Sequence, residues 1–303
     1  MSPGVVLELV RAPAALTVVG DAVVGMRHLA PEQRAQRRRR LLPAASVALY
    51  SAGMALNDVA DRRLDAVERP ERPIPSGRIG VRAATLVAAA LAAGGVVLAG
   101  IGGGRRSGAV AGCLVGAIAA YDLVAKQTSA GPFVMAACRG LDVMMGAAAS
   151  PRAIPAAVVV AAHTLGVTVL SRGEVHGGTP GAARAAIAAT GTAAIGAVAG
   201  NATAVASEAR SDAPCDRAAS SLAATLGGVA AYLAAALPGQ LRAAHEPTAA
   251  VVRSATRASL TAVVPLQATL AARAGATGAA AALLGVAGVL GALTRRRTGG
   301  DVT

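Results

Sequence analysis

The spacing of charges constrains this chain more than any other feature. No charged residue occurs over 83–104, 153–171, 185–207, 218–241 or 274–294. Each gap is close to the ~20 apolar residues that a helix needs to cross a hydrocarbon core about 30 Å thick. A surface helix of a soluble domain shows a polar stripe at period 3.6, and these stretches show none. Several helices that are apolar on every side cannot all be buried in one soluble core of this size. Shorter apolar runs lie between them. Residues 12–26 hold one charge, Asp21; 41–57 runs up to Asn57; 107–121 closes just before Asp122. Residues 131–150 contain Arg139 and Asp142, which read as a pair within one helix. The expected fold is all-α and polytopic, with eight or nine membrane spans in a single domain over 1–303. The segment 248–272 stays open between a span and a helix lying along the membrane surface, because Arg253 and Arg257 stand at i,i+4.

Composition removes other classes. With 54% hydrophobic and 15% charged residues, the chain is too apolar to be disordered. Phe133, Tyr50, Tyr121 and Tyr232 are its only aromatics, too few for an all-β domain rich in Ala and Gly. Three cysteines do not make a disulfide framework; Cys113 and Cys138 fall in apolar segments and read as small core residues. The net charge of +13 does not point to nucleic acid, since the arginines sit between apolar spans without an aromatic platform. The positive-inside rule accounts for them better. It leaves orientation open, because Arg37–Arg40 precede the 41–57 span while Arg62, Arg63, Arg69, Arg72, Arg78 and Arg82 follow it. The opening MSPGVVLELVRAP lacks the basic start and small-residue cleavage site of a signal peptide, so the first span is expected to remain.

Five of the 16 acidic residues lie between Asp58 and Glu71, directly after an apolar span that ends at Asn57. On a continuing helix, Asp58, Asp61 and Asp65 fall at i, i+3 and i+7 on one stripe, with Asn57 one turn from Asp61. Carboxylates so crowded repel one another and call for a cation. Hard oxygen ligands at this density suit Mg²⁺, which favours a few carboxylates plus substrate phosphates. Pro70, Pro73 and Pro75 end helical propensity, and Ser76-Gly77 reads as a turn. A charged loop solvated at the membrane surface is the plainer reading. Ionisable residues at the mouth of an apolar span are functional candidates by default.

The pattern N-D-x-x-D-x-x-x-D, carried by Asn57, Asp58, Asp61 and Asp65, resembles the first aspartate-rich motif of the UbiA superfamily of intramembrane prenyltransferases. The stretch from Arg72 to Ile79, R-P-I-P-S-G-R-I, is similar to that family's loop between its second and third helices. The resemblance implies a bundle of about nine transmembrane helices around a central cavity, in a multi-pass protein of the cell membrane with its site at the cytoplasmic face. It implies Mg²⁺ held by Asn57, Asp58, Asp61 and Asp65, with Asp58, Asp61 and Lys126 carrying the chemistry. Arg11, Tyr121, Arg72 and Lys126, the only lysine of the chain, resemble family positions around the diphosphate. Where the family shows a second motif, D-x-x-x-D, this chain has Ser171-Arg172-Gly173-Glu174. Glu174 is then the expected ligand of a second metal and Arg172 a direct phosphate contact, in a divergent subgroup. His176 reads as a ligand, an acid/base or a loop residue.

The implied activity is Mg²⁺-dependent transfer of an isoprenyl group from an isoprenyl diphosphate to a lipophilic acceptor among the membrane lipids, with no nucleic-acid partner. The scarcity of aromatics gives no reason to choose an aromatic acceptor. Met135, Met144 and Met145 are wall or core residues. A catalytically impaired homologue, and a lipid or cation transporter, are the competing readings. Transporters more often bury ionisable groups at mid-membrane and show repeat symmetry, and no internal repeat is evident here. A CDP-alcohol phosphatidyltransferase ranks lower, for want of D-G-x-x-A-R.

Overall fold

Helix after helix follows from the apolar runs, and among the described residues there is no strand. The computed structural model describes residues 2–208, 215–274 and 278–285. They fall into two compact units, Met1–Ala153 and Ile154–Thr303.

The first unit opens with a short helix α1 (Pro3–Leu9) and α2 (Ala12–Met26), joined through Arg11 in a left-handed conformation, φ 48°. A short turn of helix α3 (Pro31–Arg34) and a 3₁₀ turn over Arg37–Arg40 lead into α4 (Leu41–Ala60). Then come α5 (Arg62–Glu68), α6 (Val81–Gly103), α7 (Arg105–Ala120) and α8 (Gly131–Gly146). Helix α4 packs on α2 and α6, while α8 packs on α2 and α7. Small residues set these distances. A Cβ at Gly25 would collide with the Val143 carbonyl, and one at Gly146 with the backbone of Ala22, so α2 and α8 cross backbone to backbone. Ala45, Leu49, Ala99, Ala111, Leu114, Cys138 and Met145 form one buried cluster. Leu9, Ala55, Ile79, Ala84 and Ala88 form another, beneath the end of α4 that carries Asp58.

The second unit contains α9 (Ile154–Ser171), α10 (Pro180–Glu208), α11 (Cys215–His245) and α12 (Ala249–Arg273). Helix α12 packs on α11 and α9, and α10 on α9 and α11. Two buried polar pairs tie its helices together. His163 hydrogen-bonds the Tyr232 hydroxyl at 2.9 Å, and the Gln240 amide donates to Ser259 at 3.0 Å.

Five helical stretches are long and apolar enough to cross a membrane: Val81–Gly103, Arg105–Ala125, Pro151–Ser171, Pro180–Ala199 and Leu222–His245. A sixth results if Pro3–Leu9 and Ala14–Met26, bent by 61°, count as one span. By length and composition the described residues therefore give five or six spans rather than eight or nine. Helix α4 carries Asn57 and Asp58 in its last turn, and α8 is 16 residues long with Arg139 and Asp142 inside it. The apolar stretch 274–294 lies mostly outside the described residues. The surface alternative for 248–272 is not what forms: α12 buries Val252, Ala255, Ser259, Val263, Leu266 and Leu270 against its neighbours and leaves Arg253 and Arg257 exposed on the opposite stripe.

Candidate functional site

The aspartate stripe exists as expected, with one refinement. Helix α4 stops at Ala60 and α5 starts at Arg62, yet the backbone ladder runs through the break. Asp61 N–H donates to the Asn57 carbonyl at 2.8 Å, and Asp65 N–H to the Asp61 carbonyl at 2.9 Å. Asn57, Asp61 and Asp65 thus stay one turn apart. Asp58 and Asp65 are buried, and Asp61 is half-buried.

Each carboxylate is matched by a cation of the same unit. Arg11 Nη2 lies 2.9 Å from Asp58 Oδ1 and 3.5 Å from Asn57 Oδ1. The αL turn at Arg11 sets where this guanidinium leaves the chain between α1 and α2. One nitrogen of Arg72, Nη1, reaches Asp65 Oδ2 at 2.6 Å and Asp58 Oδ1 at 3.4 Å, so those two carboxylates face a single cation position. Lys126 Nζ pairs with Asp61 Oδ1.

The loop after α5 holds Arg72 in place. Ser76 N–H and its hydroxyl both donate to the Arg72 carbonyl, at 3.0 and 2.6 Å, and Gly77 at φ 72° supplies the left-handed residue of the turn. Ile79 is buried under it. Arg78 grips Glu8 with two nitrogens, at 2.5 and 2.8 Å, fastening the loop to α1.

The sequence reading missed Asp122. After α7 the chain makes a π-helical turn over Tyr121–Ala125, in which Lys126 N–H donates to the Tyr121 carbonyl at 2.9 Å. The added residue rotates this end of the helix so that Asp122 is buried and accepts from Asn57 Nδ2 at 3.0 Å. Such insertions frequently mark functional sites. Asp122 is also within electrostatic reach of Lys126, Asp61 and Arg11. Its i,i+4 spacing from Lys126 was the only signal in the sequence. Tyr121, on the same turn, is half-buried.

The network therefore contains Asp58, Asp61, Asp65 and Asp122 against Arg11, Arg72 and Lys126, four formal negative charges against three positive. Among the described residues no three His, Cys, Asp or Glu side chains form a ready-made metal cage. The donor set still fits Mg²⁺: every candidate ligand is a hard oxygen, and Asp58 and Asp65 already converge on one cation, Arg72.

Arg172 and Glu174 belong to the second unit. They occupy a tight turn after α9, where Gly178 N–H donates to the Pro247 carbonyl at 2.8 Å and Gly173 lies against Gly178. Arg172 is exposed, Glu174 half-buried and His176 exposed.

Arg139 and Asp142 do not pair with each other. Arg139 Nε lies 2.8 Å from Asp21 Oδ2, and Asp142 accepts from the Ser46 hydroxyl. The Gly25–Gly146 crossing brings α2 close enough to α8 for Asp21 to take the guanidinium from the nearer carboxylate in sequence.

Part of the chain is similar to known proteins. Residues 28–172 match the profile of the UbiA prenyltransferase family. Over 118 residues the chain is 38% identical to a protein of Ignicoccus hospitalis named digeranylgeranylglyceryl phosphate synthase, covering 39% of this chain and 35% of that one. Over 61 residues it is 48% identical to a Methanothrix thermoacetophila protein of the same name, covering 20% of this chain and 23% of the relative. These matches thus span about a quarter to a third of the relatives' length. The apo structure of a UbiA homolog from Aeropyrum pernix K1 shares the fold, with a TM-score of 0.60 and 19% identity over 84% of this chain and 96% of that one. Residues 28–172, which carry the aspartate stripe, thus resemble the UbiA prenyltransferase family, and the all-helical fold is shared with a solved UbiA homolog.

Proposed function

We propose that the protein transfers an isoprenyl group from an isoprenyl diphosphate to a lipophilic acceptor within the membrane, as one UbiA-like domain over 1–303. The observation that carries this reading is the convergence of four carboxylates, one amide and three cations at the Asp58 end of α4. Asn57, Asp58, Asp61 and Asp65 would hold Mg²⁺ there, which when bound neutralises charge on the diphosphate as the C–O bond breaks. Asp122 orients Asn57 through its hydrogen bond.

Arg11, Arg72 and Lys126 supply the remaining positive charge. Each of them is paired with a carboxylate of the stripe. Arg11, Arg72 and Lys126 would contact phosphate oxygens, for which guanidinium and ammonium groups are effective partners. The electron pair of the breaking C–O bond leaves with diphosphate; the allylic cation is captured by a nucleophilic atom of the acceptor, which then loses its proton. Apolar walls of Leu, Val, Met and Ala keep water from the cation. The cytoplasmic face is the expected side. Glu174 and Arg172 are proposed as the second metal ligand and a further phosphate contact. The relatives' printed name makes a prenylated glyceryl phosphate one acceptor to test.

The altered second motif favours one alternative, a homologue that binds the diphosphate without turning it over. Diphosphate release by the reconstituted protein separates the two. Release with Mg²⁺ or Mn²⁺ and none in EDTA supports transfer; metal-independent turnover contradicts the mechanism, and binding without any release favours the alternative.

A further inference from the structure

The helices of the first unit carry a second concentration of charge at the end away from the aspartates. Helix α4 begins at Leu41 and reaches Asp58 about 25 Å later at 1.5 Å per residue. Around its first residue gather the loop 27–40, the start of α7 and the segment after α8. This end holds Arg27, Arg34, Arg37–Arg40, Arg105, Arg106 and Arg152, nine arginines, with Glu32 as the sole acid of those segments. The opposite end balances its arginines with Asp58, Asp61, Asp65, Glu68, Glu71 and Glu8. The positive-inside rule favours arginines on one side of a membrane, so one of these two basic ends needs another cause.

Arg39 supplies it. Its residue is only 6% exposed, and its Nε and Nη1 are buried with no hydrogen-bond partner among the described residues. A guanidinium desolvated without an anion is strongly unfavourable. Burial, and secondarily the neighbouring Arg38, push it below its ordinary range. Arg39 lines a cavity of about 560 Å³ together with His28, Gln33, Arg105, Arg106 and Arg152. A second cavity of about 440 Å³, with Arg27, Arg34 and Arg40 on its wall, shares the same Arg39. No acidic residue lines either one. The wall of the larger cavity includes Ala148 at φ 50°, an unfavourable conformation for alanine, and Ala149 follows at φ 58°.

We infer that this cavity is an anion site for a phosphate group, seated on Arg39 and closed by Arg105, Arg106 and Arg152, and separate from the aspartate end. Arginine forks match phosphate oxygens in pairs, and the volume suits a headgroup-sized ligand. The phosphate comes either from an anionic phospholipid, as in basic pockets beside membrane helices, or from solution.

The test uses the full chain in detergent with EDTA, so that no metal assists phosphate at the aspartate end, and follows thermal unfolding by circular dichroism. Inorganic phosphate and phosphatidylglycerol are added separately, with chloride and phosphatidylcholine as controls. At least one anionic probe raises the wild-type midpoint, and the doubly substituted Asp58→Asn/Asp61→Asn protein responds equally. Arg39→Met and the exposed pair Arg105→Gln/Arg106→Gln each need at least tenfold more probe for the same shift. Without added phosphate or phosphatidylglycerol, Arg39→Met melts at or above wild type, because it removes an uncompensated buried charge. Response to phosphate alone identifies a soluble ligand, and response only to phosphatidylglycerol a lipid one; both support the site. An unresponsive wild type, an equal response to phosphatidylcholine, unchanged responses in both variants, or an Arg39→Met protein destabilised without added phosphate or phosphatidylglycerol overturns it.

Discussion

Replacing Arg72 by Met removes the one cation that Asp58 and Asp65 share. Asp58 keeps Arg11 at 2.9 Å, but Asp65 loses its contact at 2.6 Å, and its side chain is only 5% exposed. Removing one partner of a buried pair costs about 3–5 kcal/mol, since it strands a desolvated charge. The guanidinium is itself 16% exposed, so water can partly compensate and the low end, about 3 kcal/mol, applies. If Arg72 occupies the position that a divalent ion takes, Mg²⁺ restores what the substitution removes. A ligand at about a hundred times its Kd contributes about 2.7 kcal/mol to stability, which is nearly the loss. Thermal unfolding of the purified protein, wild type and Arg72→Met, in EDTA and in Mg²⁺, measures this. The variant should melt well below wild type in EDTA and recover most of the gap in Mg²⁺, while wild type, whose carboxylates are already compensated, gains less. Equal stability of the two proteins in EDTA, or an equal gain from Mg²⁺ in both, would refute the idea that chain cations stand where the metal sits.

Other substitutions probe the same structure at separate points. Asp61→Asn should lower turnover roughly 100-fold or more by removing a proposed metal ligand and the partner of Lys126, with the helical circular-dichroism spectrum unchanged; full activity excludes the role. Arg139→Met should destabilise the fold by about 3–5 kcal/mol, because Asp21 is fully buried, and Asp21→Asn in the same chain should recover much of the loss; a neutral single substitution contradicts the pairing. Gly25→Ala should cost about 1–3 kcal/mol by forcing α2 from α8, while Gly94→Ala, facing open space, should stabilise by about 0.5–1 kcal/mol through helix propensity; thermal melts separate them. Glu174→Gln should raise the Mg²⁺ concentration needed for half-maximal turnover, and an unchanged Mg²⁺ curve and rate remove it from the site.

How much of this was legible in the sequence varies residue by residue. Asn57, Asp58, Asp61 and Asp65 were readable because helical period alone puts them on one stripe, and the i,i+4 ladder survives the break at Asp61. Asp122 was not, because the π-helical turn at Tyr121–Ala125 shifts the register by a residue that spacing rules do not foresee. Arg139 and Asp142 looked like partners at i,i+3. Their true partners, Asp21 and Ser46, depend on a helix crossing that only glycine permits. For α12 the visible pair Arg253 and Arg257 suggested a surface helix. The buried stripe was obscured by Thr256, Ser259 and Gln267, polar residues that turn inward. Arg39 is indistinguishable from its three neighbours in R-R-R-R until burial singles it out.

The central claim is that the Asp58–Asp65 stripe grips a diphosphate through divalent ions, and it is tested without any acceptor. Equilibrium binding of a non-hydrolysable isoprenyl thiodiphosphate to the reconstituted protein, with Mg²⁺ and with EDTA, reports the grip directly. Binding that needs Mg²⁺ and disappears in Asp58→Asn/Asp61→Asn is the predicted result; equal affinity in EDTA, or an undiminished affinity in the double variant, contradicts the account.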